Sequence, residues 1–139
     1  MENTYLLAVY GALRQEGPSH YLLNKSKYIG DFDTELIYDM YSFVSFPALI
    51  RDGNTSIKME IYEISEYTLK LLNRIQEYER GVKVENLYTM TEIETPYGNA
   101  LTSFYNNKIS GKVKVESGDW IRFKKSLIKD KETIKYGIE

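Results

Sequence analysis

Near its start the chain reads Tyr5-Leu6-Leu7-Ala8-Val9-Tyr10-Gly11-Ala12-Leu13-Arg14, an apolar run that stops at a glycine. Six apolar residues are too few for a buried helix, and their type favours a strand that is buried on both faces. We therefore predict that residues 5–10 form a central strand. Gly17 and Pro18 continue the irregular segment after it, which predicts a turn and then a short helix over residues 18–24.

Strand-like alternation recurs along the rest of the chain, in residues 27–46, 47–50, 57–65, 87–94 and 100–105. Asp52-Gly53-Asn54 predicts a turn after the second of these segments, and Pro96-Tyr97-Gly98-Asn99 predicts the turn of a hairpin between the last two. Residues 120–123 are read as a last short strand or a docking segment. Lysines that alternate with valines at residues 112–115 are typical of a protected edge strand.

One segment has the spacing of an amphipathic helix. Leu69, Leu72 and Ile75 repeat at three-residue intervals, and Ser65 stands where a helix cap is expected. This pattern predicts a helix over residues 66–78 whose apolar face packs on the sheet. Gly81 is a plausible stop signal beyond it.

The helices are too few and too late in the chain for successive βαβ units. We therefore predict an α+β fold, a small, mixed, mostly antiparallel β-barrel with flanking short helices. A chain of 139 residues suits one domain, which we place at residues 1–123. Residues 124–139 are predicted to be a peripheral, lysine-rich C-terminal extension.

Composition excludes several classes of function. Eighteen basic and twenty acidic residues give a net charge of −2, so no strong field draws the protein to nucleic acid or to a membrane surface. The chain has no cysteine and a single histidine, His20, which excludes disulfides, thiolate catalysis and multi-histidine metal sites. We expect a cytoplasmic protein that binds a small molecule without a metal or another cofactor.

The first candidate site is the turn after the buried strand. Backbone N–H groups in such a turn, next to a helix start, suit a carboxylate or a phosphate, and Gly11 lets the backbone come close to the ligand. The candidate binding residues are Tyr10, Gly11, Ala12, Leu13 and Arg14. The alternative is that Gly11 merely ends a strand and Arg14 is a solvated surface residue.

The second candidate site is acidic and lies at the end of the predicted helix. Glu77 and Glu79 there, and Glu85 a few residues later, are candidates for a general acid or base, because burial at a helix end can adapt a carboxylate to proton transfer. The alternative is that these carboxylates are solvated. His20 is expected to brace the loop by hydrogen bonds rather than to act in catalysis.

Several motifs together resemble the γ-glutamylcyclotransferase-like family, especially its short bacterial members of YtfP type. Val9-Tyr10-Gly11-Ala12-Leu13-Arg14, followed by Ser19-His20, is similar to the family's opening motif. The resemblance continues through Glu60-Ile61-Tyr62-Glu63-Ile64, Leu72-Asn73, residues 94–100 and residues 115–120, and so spans about residues 5–122.

The resemblance implies a cavity whose floor is the opening loop, and an enzyme that releases 5-oxoproline and an amine from a small γ-glutamyl compound. In that reaction the amides of residues 11–13 would hold the α-carboxylate, and one glutamate would transfer the proton. Gln76 and Tyr88 would join the loop in binding the substrate.

The sequence departs from the family pattern at the reacting centre. Gln76 stands in the place of the family's catalytic glutamate, Ala12 replaces a serine, and Tyr88-Thr89-Met90 replaces Tyr-x-Arg. Two hypotheses follow. The chain is a cyclotransferase in which Glu77 or Glu79 carries the proton, or it is a catalytically disarmed member that binds a small anionic ligand or a protein partner.

Overall fold

The computed structural model describes residues 3–135 of the chain. Its elements, in order, are β1 (Thr4–Val9), a 3₁₀ turn (His20–Leu23), β2 (Lys27–Asp33), β3 (Tyr38–Ser42), β4 (Pro47–Thr55), β5 (Lys58–Ser65), α1 (Glu66–Arg80), α2 (Val84–Leu87), β6 (Tyr88–Thr95), β7 (Gly98–Tyr105), β8 (Val113–Lys114) and α3 (Trp120–Lys135). No helix within residues 3–135 is long and apolar enough to cross a membrane.

The larger sheet has five strands in the order β2-β5-β1-β7-β6. β1 lies in the middle, antiparallel to β5 and parallel to β7, which confirms the predicted central strand. Its side chains alternate between two apolar clusters, with Ala8 in one and Leu7 and Val9 in the other. Both faces of β1 are therefore covered, as its unbroken apolar sequence requires.

The smaller sheet has three strands in the order β4-β3-β8. Within the described part of the chain no strand of one sheet pairs with a strand of the other, so the mixed α+β fold is confirmed but the predicted closure into a barrel is not found. β8 pairs only with β3 and is an edge strand, as the alternating lysines predicted.

The turn predicted at residues 52–54 is wrong, because these residues belong to β4. The pairing with β3 shifts register between Tyr38 and Asp39, and the Asp39 carboxylate accepts hydrogen bonds from the Asn54 amide and the Thr55 hydroxyl. The Asp39 side chain on the neighbouring strand therefore supplies the hydrogen-bond acceptor that the Asn54 amide needs at the irregularity, and β4 continues through Gly53.

Helix α1 begins and ends at the predicted signals, two residues longer than expected. The Ser65 hydroxyl accepts a hydrogen bond from the Thr68 amide, and Gly81 ends the helix with a φ of 70° while its N–H bonds the Glu77 carbonyl at 2.9 Å. Leu72 is buried against β1 and β5 side chains, with Leu69 packed beside it, which confirms the predicted apolar face.

Residues 120–123 begin α3 and form neither a strand nor a separate docking segment. The Asp119 carboxylate accepts a hydrogen bond from the Arg122 amide at 3.2 Å, in the manner of an N-cap, and Trp120 and Ile121 are buried in the larger cluster. The helix runs through residue 123, where we placed the end of the domain. Residues 136–139 of the predicted extension lie outside the described residues.

Candidate functional site

A cavity of about 140 Å³ lies between the end of β1, the face of α1 and the first residues of β4. The residues that contribute polar side chains or loop backbone to its lining are Tyr10, Gly11, Ala12, Leu13, Ser19, Asn73, Gln76, Glu79, Tyr88 and Ser103. Its walls are largely apolar and include Phe46, Pro47, Leu72, Ile75 and Met90. An apolar cleft with a few convergent polar groups is the usual form of a small-molecule site.

Residues 11–13 of the loop after β1 line this cavity. Among the described residues, no hydrogen bond is donated by the amides of residues 11–13, whereas their carbonyls are occupied. The Gly11 carbonyl accepts from the Arg14 amide, the Ala12 carbonyl from the Ser19 amide, and the Leu13 carbonyl lies 2.9 Å from Nδ1 of His20. His20 thus braces the loop, as predicted. The arrangement suits an anion, which three adjacent amides can bind.

Arg14 lies outside the cavity lining, although we predicted it among the binding residues. Its guanidinium is buried, donates from Nε to Glu60 Oε2 at 3.0 Å, and donates from Nη1 to Asp119 Oδ1 at 2.8 Å. The predicted alternative, a solvated arginine, does not describe it either. Arg14 holds the loop in place through these two ion pairs and does not contact the cavity.

The three polar residues at the end of α1 have different positions. Gln76 and Glu79 line the cavity, whereas Glu77 does not. Glu77 Oε2 instead accepts a hydrogen bond from the Val84 amide at 3.0 Å, which ties α2 to the end of α1. Because Gln76 and Glu79 are three residues apart, they share a helix face, and Glu79 lies one turn nearer the end of the helix. The Glu79 side chain is exposed at the edge of the cavity, so the predicted burial of this carboxylate is wrong and the solvated alternative describes it.

Two tyrosines close the opposite wall of the cavity. Tyr10 donates a hydrogen bond to the Ser103 carbonyl at 2.6 Å, and burial raises the pKa of its hydroxyl far above the ordinary value of 10.0. Burial also raises the pKa of Tyr88, against the opposing charge and hydrogen bond of Arg80. Both hydroxyls are therefore protonated at neutral pH.

Sequence reasoning missed four residues around the site: Glu60, Asp119, Phe46 and Arg80. Glu60 lies between Met59 and Ile61 in a strand buried on both faces, and this apolar context was the available signal for a buried carboxylate. Asp119 stands directly before the apolar pair that begins α3, which is the position of an N-cap. Phe46 and Arg80 had no local signal, because their contact depends on how the end of α1 packs against the segment before β4.

The donor set of the site does not suggest a metal. Within residues 3–135 no three side chains of His, Cys, Asp or Glu lie close enough together to hold a metal ion. The polar groups of the residues that line the cavity are backbone amides, two phenols, two serine hydroxyls, two side-chain amides and one carboxylate.

Comparisons with known proteins agree with this geometry. Residues 7–122 match the family model of γ-glutamyl cyclotransferase, AIG2-like proteins. The γ-glutamylcyclotransferase family protein YtfP of Escherichia coli K12 is 35% identical over 114 residues, which cover 81% of this chain and 93% of that protein.

Two solved structures share the fold. The crystal structure of the uncharacterized protein PH0828 from Pyrococcus horikoshii matches with a TM-score of 0.71 and 27% identity, over 88% of this chain and 94% of that one. The solution structure of ytfP from Escherichia coli matches with a TM-score of 0.66 and 32% identity, over 86% and 98% of the two chains. The family match, the sequence identity and the loop geometry together show that the chain belongs to the γ-glutamyl cyclotransferase, AIG2-like family.

Proposed function

We propose that the chain cyclises a small γ-glutamyl compound and releases 5-oxoproline and a free amine, with Glu79 as the proton carrier. One observation carries the proposal: within the described part of the chain, Glu79 is the only carboxylate that lines the cavity. Family membership and the unoccupied amides of residues 11–13 support it. Glu77 is not proposed, because its carboxylate holds the Val84 amide.

The reaction moves two protons from the α-ammonium nitrogen to the leaving nitrogen. The amides of residues 11–13 bind the substrate α-carboxylate, which places the α-ammonium near α1. Glu79 removes a proton from this ammonium, and the resulting amine attacks the γ-carbonyl carbon to form the lactam C–N bond. The tetrahedral intermediate expels the leaving nitrogen as that nitrogen takes this first proton from Glu79. Glu79 then moves the second proton from the ring nitrogen to the released amine, which departs as an ammonium and leaves the neutral lactam. No water, metal or redox partner enters this balance.

A second function is favoured by Gln76. Its neutral amide lines the cavity one helical turn before Glu79 along α1 and cannot carry a proton. A cavity that keeps the anion-binding loop but has an amide at this point suits a protein that binds a small anionic ligand without turning it over. The two functions predict different responses to substitution at residues 76 and 79.

The test is an assay of 5-oxoproline release from a panel of γ-glutamyl amides and γ-glutamyl amino acids. Wild type is compared with Glu79→Gln, Gln76→Glu and, as the matched control, Glu77→Gln, whose amide oxygen still accepts the Val84 N–H. For the enzyme we expect Glu79→Gln to lose about a hundredfold or more in kcat, the range of general acid–base catalysis, while Glu77→Gln keeps its activity.

Other outcomes decide against parts of this assignment. Inactive wild type with activity gained in Gln76→Glu supports the disarmed binding protein. Full activity in Glu79→Gln with loss in Glu77→Gln reassigns the proton to Glu77. Full activity in both variants excludes both glutamates as the proton carrier.

A further inference from the structure

Arg80, the last residue of α1, joins three separate elements at the cavity wall. Its guanidinium carbon lies 3.8 Å from the centre of the Phe46 ring, directly before β4, and 5.2 Å from the centre of the Tyr88 ring on β6. Nη1 of Arg80 also donates a hydrogen bond to the Tyr88 hydroxyl. Phe46 and Tyr88 both line the cavity, whereas Arg80 does not. Arg80 therefore contacts the site only through these two rings.

The hydrogen bond from Arg80 determines what the Tyr88 hydroxyl can do. A phenol has one proton to donate and lone pairs to accept. Arg80 occupies a lone pair, and within residues 3–135 no acceptor for the Tyr88 proton is found. Tyr88 is buried, at 5% exposure, and is one of the residues that line the cavity. Its proton is therefore available to a hydrogen-bond acceptor on the ligand.

We infer that Arg80 is a positioning residue that holds the Tyr88 hydroxyl as the hydrogen-bond donor to the acyl oxygen of the ligand. This inference rests on the proposed function. When the α-amine attacks the γ-carbonyl, the carbonyl π electrons move onto oxygen, and the Tyr88 O–H stabilises that oxygen without transferring its proton. The adjacent guanidinium polarises the O–H bond and strengthens it as a donor, because charge-assisted hydrogen bonds are stronger than neutral ones.

Packing on Phe46 supplies the rigidity that this role requires. A guanidinium stacked on an aromatic ring has fewer orientations than one in water, so its N–H groups stay directed at the Tyr88 hydroxyl. Tyr10, on the neighbouring strand wall, already donates its proton to the Ser103 carbonyl. Of the two phenols in the cavity, Tyr88 alone has an uncommitted proton among the described residues.

The experiment measures kcat and KM for 5-oxoproline release in Tyr88→Phe, Arg80→Met, Arg80→Lys and the double variant Arg80→Met/Tyr88→Phe. Tyr105→Phe is the matched control for the hydroxyl, because Tyr105 pairs with Tyr88 across β6 and β7 but does not line the cavity. Arg74→Met, on the exposed side of α1, is the control for the charge. Circular dichroism confirms that each variant is folded.

We expect Tyr88→Phe to lower kcat about a hundredfold with little change in KM, as for the loss of one oxyanion donor. Arg80→Met is expected to lower kcat about tenfold, and the double variant to be no slower than Tyr88→Phe, because Arg80 acts through Tyr88. Arg80→Lys should recover part of the loss. Ring-carbon NMR of labelled tyrosines should show a higher Tyr88 pKa in Arg80→Met, since the guanidinium lowers that pKa.

Two results would overturn the inference in an active enzyme: full kcat in Tyr88→Phe, or losses in the two single variants that multiply in the double one. If wild type releases no 5-oxoproline, the cyclotransferase proposal fails separately, and binding of added 5-oxoproline becomes the readout. About tenfold weaker binding in Tyr88→Phe, but not in Tyr105→Phe, then supports the donor role. Equal binding in both, or no binding in wild type, overturns it.

Discussion

Arg14 Nη1 lies 2.8 Å from Asp119 Oδ1, a contact that joins the loop lining the cavity to the first turn of α3. The same guanidinium donates through Nε to Glu60 on β5, and Glu60 Oε1 accepts the Gln15 amide at 2.8 Å. Three segments that are far apart in sequence therefore meet at one buried cation. The position of the loop after β1 depends on this network.

Arg14→Met should destabilise the fold strongly. The substitution keeps most of the side-chain volume but leaves the Glu60 carboxylate, 7% exposed, without its cation. Removing one partner of a buried ion pair costs about 3–5 kcal/mol, because the remaining charge is buried and uncompensated. Urea unfolding at neutral pH measures the difference in unfolding free energy.

The control for Arg14→Met is a second ion pair between the same loop and α3. Lys125 Nζ lies 2.7 Å from Glu16 Oε1, but the two side chains are 62% and 64% exposed. Glu16→Gln should therefore change the unfolding free energy by less than about 1 kcal/mol. Equal effects of the two substitutions would contradict the assignment of Arg14 as the buried link.

Stability should fall in acid, partly through Asp119. Burial raises the pKa of Asp119, but hydrogen bonds from Arg14 and the Arg122 amide and the charge of Arg14 outweigh it, so the pKa lies below the ordinary 3.8. A carboxylate with a lower pKa in the folded state stabilises the fold fully above its unfolded pKa, and this contribution is lost as pH falls through the folded pKa.

Asp119→Asn tests this acid dependence. The variant should be less stable than wild type at neutral pH, and the two unfolding free energies should converge as pH falls from about 7 to about 2. Urea unfolding at a series of pH values gives both curves. A constant difference between them would show that Asp119 acts through packing or capping alone.

Much of the fold follows from local sequence patterns. The apolar run of β1, the turn between β6 and β7, and the caps of α1 each lie within a few adjacent residues, and all three are confirmed. Closure into a barrel is different, because it depends on pairing between strands that are distant in the chain. The beginning of α3 was missed because its residues were read by alternation, although Asp119 supplies a cap signal.

The candidate site was predictable to the same local extent. Gln76 and Glu79 share a face because of their helical spacing, which the sequence contains. The contact of Arg14 with Glu60 and Asp119, and that of Arg80 with Phe46, joins residues 34 to 105 positions apart. Such contacts are set by the packing of whole elements, so no local motif predicts them.

Leu72→Ala should cost about 2–5 kcal/mol in unfolding free energy, the range for a buried leucine. Leu72 is 9% exposed and packs with Leu7 and Tyr62, so its truncation leaves a cavity under α1. Tyr78→Ala, on the opposite face of the helix at 90% exposure, should change stability by no more than about 0.5 kcal/mol. Urea unfolding of the two variants checks the orientation of α1, and similar losses would contradict it.

The close approach of the loop after β1 to β4 gives the last prediction. A Cβ atom on Gly11 would lie 2.8 Å from Cγ and 3.0 Å from Cδ of Pro47, and a proline ring cannot rotate away. Gly11→Ala should therefore displace the cavity wall, lower the unfolding free energy by about 1–3 kcal/mol through overpacking, and weaken binding of 5-oxoproline.

Pro47→Ala removes both contacted ring atoms, so the double variant Gly11→Ala/Pro47→Ala should be more stable than the sum of the two single effects predicts. Urea unfolding and calorimetric titration of all three variants measure this coupling. If the two changes in unfolding free energy simply add, the Gly11→Ala effect does not come from a clash with Pro47. The glycine is then needed for another reason.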